Sequence, residues 1–126
     1  MDSYKEWIKR AKSIFKFAVR DLDEDMYYID ACHILQEAVE KAFKGLIIFY
    51  GIKHEKTHSI SRLINELKKH TDIPDYIFES SKLTEFTILL RYPGDFNDVS
   101  KEEYENLLNI TKRCLEWVDI KVSGLF

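Results

Sequence analysis

The chain has few of the residues that break regular secondary structure, with four glycines and two prolines among its 126 residues. An all-β fold needs a turn signal about every ten residues, and this sequence has too few such signals. Apolar residues recur instead at helical spacing through most of the chain. The composition therefore predicts an all-α fold built from a few long elements.

Cysteines and long apolar runs are also scarce. Cys32 and Cys114 make no disulfide framework, and we expect both to be buried free thiols in a reducing compartment. No apolar run approaches the roughly 18 residues that span a bilayer. The charged opening MDSYKEWIKRAK is unlike the apolar core of a signal peptide. We therefore expect a cytoplasmic protein that makes no contact with a membrane.

Neither sign of charge dominates, because 19 basic and 22 acidic residues leave a net charge of −3. Contact with nucleic acid would therefore need a local basic cluster. Catalytic motifs are missing as well, since the sequence has no glycine-rich phosphate loop, no nucleophile elbow and no CxxC. The length predicts a single helical domain over residues 1–126.

One segment, residues 29–50 (IDACHILQEAVEKAFKGLIIFY), is predicted to form a long amphipathic helix around which the others pack. Its polar side carries two acid–base pairs at i,i+4 spacing: Glu37 with Lys41, and Glu40 with Lys44. We interpret this side as a solvated, salt-bridged face. The spacing leaves open a second interpretation, a polar groove lined by His33, Gln36, Glu37 and Lys41.

Four further helices flank this segment. Their N-terminal signals are a capping box of Ser3 and Glu6, a Thr57 cap, Pro74 in a first turn, and a capping box of Ser100 and Glu103. The helix after Pro74 should run to Arg91, because Pro93 forces the residue before it out of the helical conformation. The pattern predicts an up-down bundle of four long helices plus a short one.

Apolar residues surround the last turns of two predicted helices, at residues 47–50 and 86–90. A helix end that is apolar on all sides is buried by its own chain or by a partner. Together these ends exceed what one small core needs. We therefore expect a homodimer built on the ends of the second and fourth helices.

Arg91 and Tyr92 form the most unusual placement in the sequence. The guanidinium ends an apolar helix just before a proline-locked turn, and its fork of donors suits phosphate. Compensation of the helix dipole is the structural alternative. We take Arg91 and Tyr92 as ligands of a nucleotide or phosphate, with Lys41, Lys44 and His58 as further candidates.

His54 and His58 are four residues apart, which on one helix would suit zinc. However, His54 precedes the Thr57 cap, so helical spacing does not hold, and no third ligand is near in sequence. We expect no metal and no cofactor, and we place His58 in the first turn of the third helix as a capping or packing residue.

The blocks HILQEAVEKAFKGLIIFYG, THSISRLINEL and LLRYPGDF, in this order, resemble the HEPN superfamily (higher eukaryotes and prokaryotes nucleotide-binding domain) over residues 7–118. More narrowly, the chain resembles the small prokaryotic HEPN proteins that are often encoded beside minimal nucleotidyltransferases. The resemblance implies an all-α up-down bundle that forms a homodimer. It also implies that many relatives are metal-independent ribonucleases and toxins of toxin–antitoxin pairs, with a motif arginine followed a few residues later by a histidine.

The arginine of that motif matches Arg91, but the histidine positions hold Phe96, Asn97 and Asp98. None of these is a good general base near neutral pH. The resemblance therefore implies a non-catalytic HEPN protein that binds nucleotide or RNA phosphate and partners a nucleotidyltransferase. The alternatives are a ribonuclease with a rearranged site, using His58 or His33 as base, and a dimeric scaffold that binds no ligand.

Overall fold

The computed structural model describes residues 3–53, 55–85 and 99–124. Regular structure within these ranges is helical, without strands, and the predicted all-α class is confirmed. The α-helices whose bounds lie within the described ranges are α1 (Tyr4–Ala18), α2 (Tyr28–Phe49), α3 (Ile60–Leu67), α4 (Asp75–Glu79) and α5 (Lys101–Ser123). No helix in the described ranges combines the length and the apolar character needed to cross a bilayer.

Helices α1 and α2 pack as an antiparallel pair that approaches closely at Gly45. A Cβ atom added there would lie 3.0 Å from Ile8 Cγ1, 3.1 Å from Trp7 Cβ and 3.2 Å from the Tyr4 carbonyl oxygen. Such distances leave no room for a side chain, so glycine sets the separation of the two helices. This explains a glycine in the middle of a helix, where it is unfavourable by about 1 kcal/mol relative to alanine.

The core is centred on the apolar side of α2, as the sequence predicts. The fully buried apolar side chains of α2 include Leu35, Ala38, Val39, Ala42, Phe43 and Leu46. Helix α5 covers them from one side, where the Trp117 ring meets Phe43 edge-on at 6.1 Å between centroids. Cys32 and Cys114 are both free and fully buried, which confirms the prediction of buried free thiols.

The predicted starts of α1 and α5 are confirmed by their capping hydrogen bonds. Ser3 Oγ accepts from the Lys5 N–H at 3.2 Å, and Ser100 Oγ accepts from the Glu103 N–H at 3.1 Å. Each bond satisfies an N–H group that has no partner within its own helix. After α2 the chain turns at Gly51, whose φ of 81° lies in the left-handed region that glycine adopts without strain.

The predicted start of α3 is wrong by two residues. Ser59, rather than Thr57, caps the helix, with its Oγ accepting from the Arg62 N–H at 3.3 Å. Thr57 Oγ1 accepts instead from the Ser59 N–H at 3.1 Å and shapes the turn before the helix. His58 consequently lies in the loop that precedes α3, not in its first turn.

The fourth predicted helix is not continuous. Helix α4 ends at Glu79, a 3-10 helix spans Ser80–Leu83, and residues 84 and 85 are again α-helical. The Ser80 hydroxyl donates to the Ile77 carbonyl at 2.6 Å, and such bonds to the preceding turn compete with the α-helical ladder. Ile77 and Leu83 on this segment are nevertheless fully buried in the core.

Candidate functional site

A buried carboxylate lies at the centre of the polar side of α2. The Glu40 side chain is 6% exposed. Its Oε1 lies 2.8 Å from Lys44 Nζ and 2.9 Å from His58 Nδ1, and its Oε2 accepts from Gln36 Nε2 at 3.1 Å. A buried charge is tolerated when it is paired and hydrogen-bonded, and these partners meet both needs. We call Gln36, Glu40, Lys44 and His58 the Glu40 cluster.

The cluster joins two segments that are distant in sequence. Gln36 is fully buried, and its Nε2 donates to the His58 carbonyl oxygen at 3.1 Å as well as to Glu40. The loop before α3 is therefore bonded to α2 through both the backbone and the side chain of His58. Because two contacts fix this loop, the imidazole occupies a defined position beside the helix.

The Nδ1 edge of the His58 ring contacts Glu40, and most of the rest of the side chain is exposed to solvent. Its side chain is 77% exposed although Nδ1 contacts the buried Glu40 carboxylate. This contact favours a proton on Nδ1, which then donates to Glu40 and leaves Nε2 as the nitrogen that faces solvent. In the neutral ring Nε2 is an acceptor or base, and in the charged ring it is a donor to anions.

Lys41 lies beside the cluster and across the ring of Trp7. Its Nζ is 5.4 Å from the Trp7 ring centroid, and Lys44 Nζ is 5.9 Å from the same centroid. The predicted Glu37–Lys41 pair is wrong, because Glu37 Oε1 lies 3.7 Å from His33 Nε2 instead. In the described ranges no carboxylate neutralises Lys41, so it adds a positive charge next to the cluster.

The interpretation of the polar side of α2 as a solvated face is wrong for Glu40 and Lys44. Their side chains are 6% and 10% exposed, because α1 and the loop that carries His58 cover them. The predicted Glu40–Lys44 pair is confirmed, but it is buried. The sequence signal was present, since Gln36, Glu40 and Lys44 follow one another at i,i+4 spacing, yet this spacing does not report burial.

The structure brings together three of the predicted site residues. Lys44 and His58 meet on Glu40, and Lys41 shares the Trp7 ring with Lys44. Arg91 and Tyr92 lie outside the described residues, as does His54. Across the three described ranges, no group of three His, Cys, Asp or Glu side chains is placed to hold a metal ion.

Comparisons with known proteins agree on one relationship. The model of the family described as "HEPN domain" matches residues 4–121. Among solved structures, the chain is similar to ST0689, an archaeal HEPN homologue, with 29% identity, a TM-score of 0.74, and coverage of 97% of this chain and 99% of that chain. It is also similar to TT1696 from Thermus thermophilus, with 28% identity, a TM-score of 0.81, and coverage of 96% and 99%. No curated protein matches the chain.

Proposed function

Because the chain belongs to the HEPN domain family, we propose that it binds the phosphate of a nucleotide or of RNA beside the Glu40 cluster. Lys41 and His58 are the proposed phosphate ligands in the described ranges, and Arg91 and Tyr92, which lie outside those ranges, are further ligands proposed from the sequence alone. The protein acts as a homodimer that partners a minimal nucleotidyltransferase in a toxin–antitoxin-type module.

One observation carries the proposal: Glu40 holds both His58, at the surface, and Lys44, whose Trp7 neighbour is shared by the unneutralised Lys41. A fixed ring loses less conformational freedom when it binds a ligand, so its donor acts at a smaller entropic cost. An ammonium group and an imidazolium N–H both suit phosphate oxygens. Lys44 has a different role, because it lies against Glu40 and neutralises the charge of the buried carboxylate.

The test is the binding of a 5′-phosphorylated RNA oligonucleotide, followed by fluorescence anisotropy at two salt concentrations. His58→Ala, Lys41→Ala and Arg91→Ala should each weaken binding about tenfold or more, as expected for hydrogen bonds to a charged group. Lys112→Ala, which removes an exposed lysine of α5, is the matched control. Unchanged affinity in all three variants would remove the proposal.

The homodimer and its partner rest on the family rather than on the described surface. Phe49 at the end of α2 is 36% exposed, but Ile47 is buried and the Tyr4 ring covers Phe49 edge-on at 5.1 Å. Packing within the chain thus accounts for part of the apolar end of α2. Light scattering coupled to size exclusion tests the dimer, and co-expression with a minimal nucleotidyltransferase tests the partnership.

A metal-independent ribonuclease is the second candidate, and the contact between Glu40 and His58 favours it. A carboxylate that orients an imidazole is a common arrangement for a general base, and here Nε2 would take the proton of a ribose 2′-OH. His33 is less suited, because its Nδ1 is buried without a partner in the described part of the chain. Cleavage of tRNA in EDTA that is lost in His58→Ala would favour this candidate, and intact tRNA would favour binding alone.

A further inference from the structure

An apolar groove lies between the end of α1, the connection at residues 19–27 and the first turns of α2. Its volume is about 470 Å³, within the range of roughly 300–1,000 Å³ that binding pockets occupy. Its apolar lining includes Ile14, Phe17, Leu22, Met26, Tyr27 and Ile34. No member of the Glu40 cluster lines it, so the α1–α2 groove is a separate feature of the molecule.

The groove is bordered by large apolar side chains that the chain itself leaves exposed. Phe17 is 61% exposed, Tyr27 58% and Met26 41%. Elsewhere in the described ranges, the other large apolar side chains that are this exposed are Val19, which is close by in sequence, and the scattered Phe49, Phe78 and Ile120. A concentration of apolar surface around a cavity is typical of an interaction site.

The rim of the groove is acidic. Asp25, Asp30 and Glu37 line it, against a single basic residue, Arg20. Residues 14–37 contain six acidic and two basic residues, a net charge of −4, whereas the whole chain carries −3. The rest of the chain is therefore net positive by one charge. The negative charge of the protein is concentrated around this apolar groove.

The acids on α2 are placed to frame the apolar floor. Asp30, Ile34 and Glu37 are spaced i, i+4 and i+7, so they share one face of the helix. A partner side chain that enters between Phe17 and Ile34 would have carboxylates of α2 on both sides. This geometry suits a segment with apolar residues on one face and basic residues flanking them.

We propose that the α1–α2 groove binds an amphipathic, lysine- or arginine-rich helix of a partner protein. The apolar face of that helix fills the cavity, with Phe17 and Tyr27 as anchors, and its basic residues contact the rim. The proposal does not depend on phosphate binding at the Glu40 cluster. It assigns the protein a second surface, selective for a basic partner.

The charge of the rim argues against a second copy of this chain as the occupant. A symmetric dimer through the groove would place one acidic rim against the other, and like charges facing each other disfavour association. The basic outer face of α1 in a second copy offers Lys5, Lys9 and Lys12, but it has no large apolar side chain among them to fill the cavity. A separate amphipathic segment meets both requirements.

The test uses a synthetic 18-residue amphipathic helix of leucine and lysine as the probe, with binding measured by fluorescence anisotropy and mapped by NMR chemical shifts. We expect it to bind and to shift the signals of Phe17, Tyr27 and Ile34. The same peptide with glutamate in place of lysine, and one with serine in place of leucine, should bind at least tenfold more weakly. Equal binding of the glutamate peptide would overturn the proposal.

Matched variants separate the groove from general attraction. Phe17→Asp should weaken binding of the leucine–lysine peptide at least tenfold because it removes an apolar anchor. This loss is expected although the new aspartate adds a negative charge that would attract the peptide. Phe78→Asp makes the same change at a residue of α4 that is 43% exposed and lies outside the groove, and it should leave binding unchanged. An equal loss in both variants would overturn the proposal.

Charge reversal gives the converse experiment. Asp25→Lys combined with Glu37→Lys should abolish binding of the lysine peptide and permit binding of the glutamate peptide. Thermal melting confirms that each variant is folded. If Phe17→Asp instead converts a dimer into a monomer in light scattering, the groove is occupied by a second copy and the proposal is wrong.

Discussion

His58 Nδ1 lies 2.9 Å from Glu40 Oε1, and this contact joins a side chain that is 77% exposed to one that is 6% exposed. The pair connects the solvent to the interior of the bundle through two residues that are 18 positions apart. Glu40 is also the partner of Lys44, so one carboxylate both orients the surface imidazole and neutralises a buried ammonium group. The stability of the bundle and the geometry of the candidate site therefore depend on the same residue.

Replacement of Glu40 by glutamine should destabilise the protein strongly. The change keeps the size of the side chain but leaves Lys44, only 10% exposed, without its counter-charge. Removing one partner of a buried ion pair lowers the unfolding free energy by about 3–5 kcal/mol. We expect a loss of this size for Glu40→Gln when its unfolding is measured by urea denaturation. Glu37→Gln, at a side chain that is 48% exposed, is the control and should stay within about 0.5 kcal/mol of the original protein. Adding Lys44→Met to Glu40→Gln should recover stability, and a double variant as unstable as the single one would contradict this account.

Gly45→Ala should destabilise the protein although alanine is the better helix former. The new Cβ would lie 3.0 Å from Ile8 Cγ1 and 3.2 Å from the Tyr4 carbonyl oxygen, so these atoms of α1 must give by a few tenths of an ångström. Overpacking of this kind costs about 1–3 kcal/mol, which exceeds the gain of about 1 kcal/mol in helix propensity at the upper end of that range. In a double-mutant cycle, the effect of Gly45→Ala should be smaller when Ile8→Ala has removed the nearest atom. Strict additivity of the two changes would show that Ile8 does not set the contact.

Tyr104→Phe should lower stability by removing a hydrogen bond between helices. The Tyr104 hydroxyl on α5 donates to the carbonyl of Ala18, which ends α1, and burial raises the pKa of this phenol. Leaving that buried carbonyl without its partner costs about 1–3 kcal/mol, measurable by thermal or urea unfolding. Tyr76→Phe is the matched control. The Tyr76 ring centroid lies 3.8 Å from the Arg113 guanidinium, and phenylalanine at this position keeps the ring and that contact while it removes the hydroxyl. Equal effects of the two changes would argue against the bond.

Stability should fall above pH 9 because of Cys114. Burial raises the pKa of its thiol to about 12, from an ordinary value of 9.0, although Ser80 and Arg113 act in the opposite direction. The unfolded thiol thus loses its proton first, so the contribution is fully present below pH 9.0 and is lost as the pH rises towards 12. The slope is at most about 1.4 kcal/mol per pH unit.

Cys114→Ala supplies the comparison for that prediction. The variant loses packing at every pH, but it lacks the titrating thiol. The difference in unfolding free energy between the original protein and the variant should therefore shrink between pH 9 and pH 11. A constant difference over this range would show that the thiol titrates alike in the folded and unfolded chains.

Local signals in the sequence account for most of the helices. The starts at Ser3 and Ser100 depend on side-chain bonds to N–H groups two or three residues away, which neighbouring residues alone determine. The start of α3 depends on more, because the Ile60 N–H donates to Thr84 Oγ1 at 3.2 Å, from a segment 24 residues later. Thr57 and Ser59 are both competent caps, and this distant contact favours the second.

The sequence by itself determined the all-α class, the apolar stripe of α2 and the i,i+4 pairing of Glu40 with Lys44, because these follow from helical periodicity. Only the tertiary structure decided that this pair is buried, since Trp7 of α1 and the loop at His58 cover it. The exposure of a helix face depends on which other segments pack against it. The spacing of residues within one helix does not indicate which segments these are. For the same reason, the acidic α1–α2 groove cannot be read from either helix alone, because its lining comes from the end of α1, the connection and the start of α2 together.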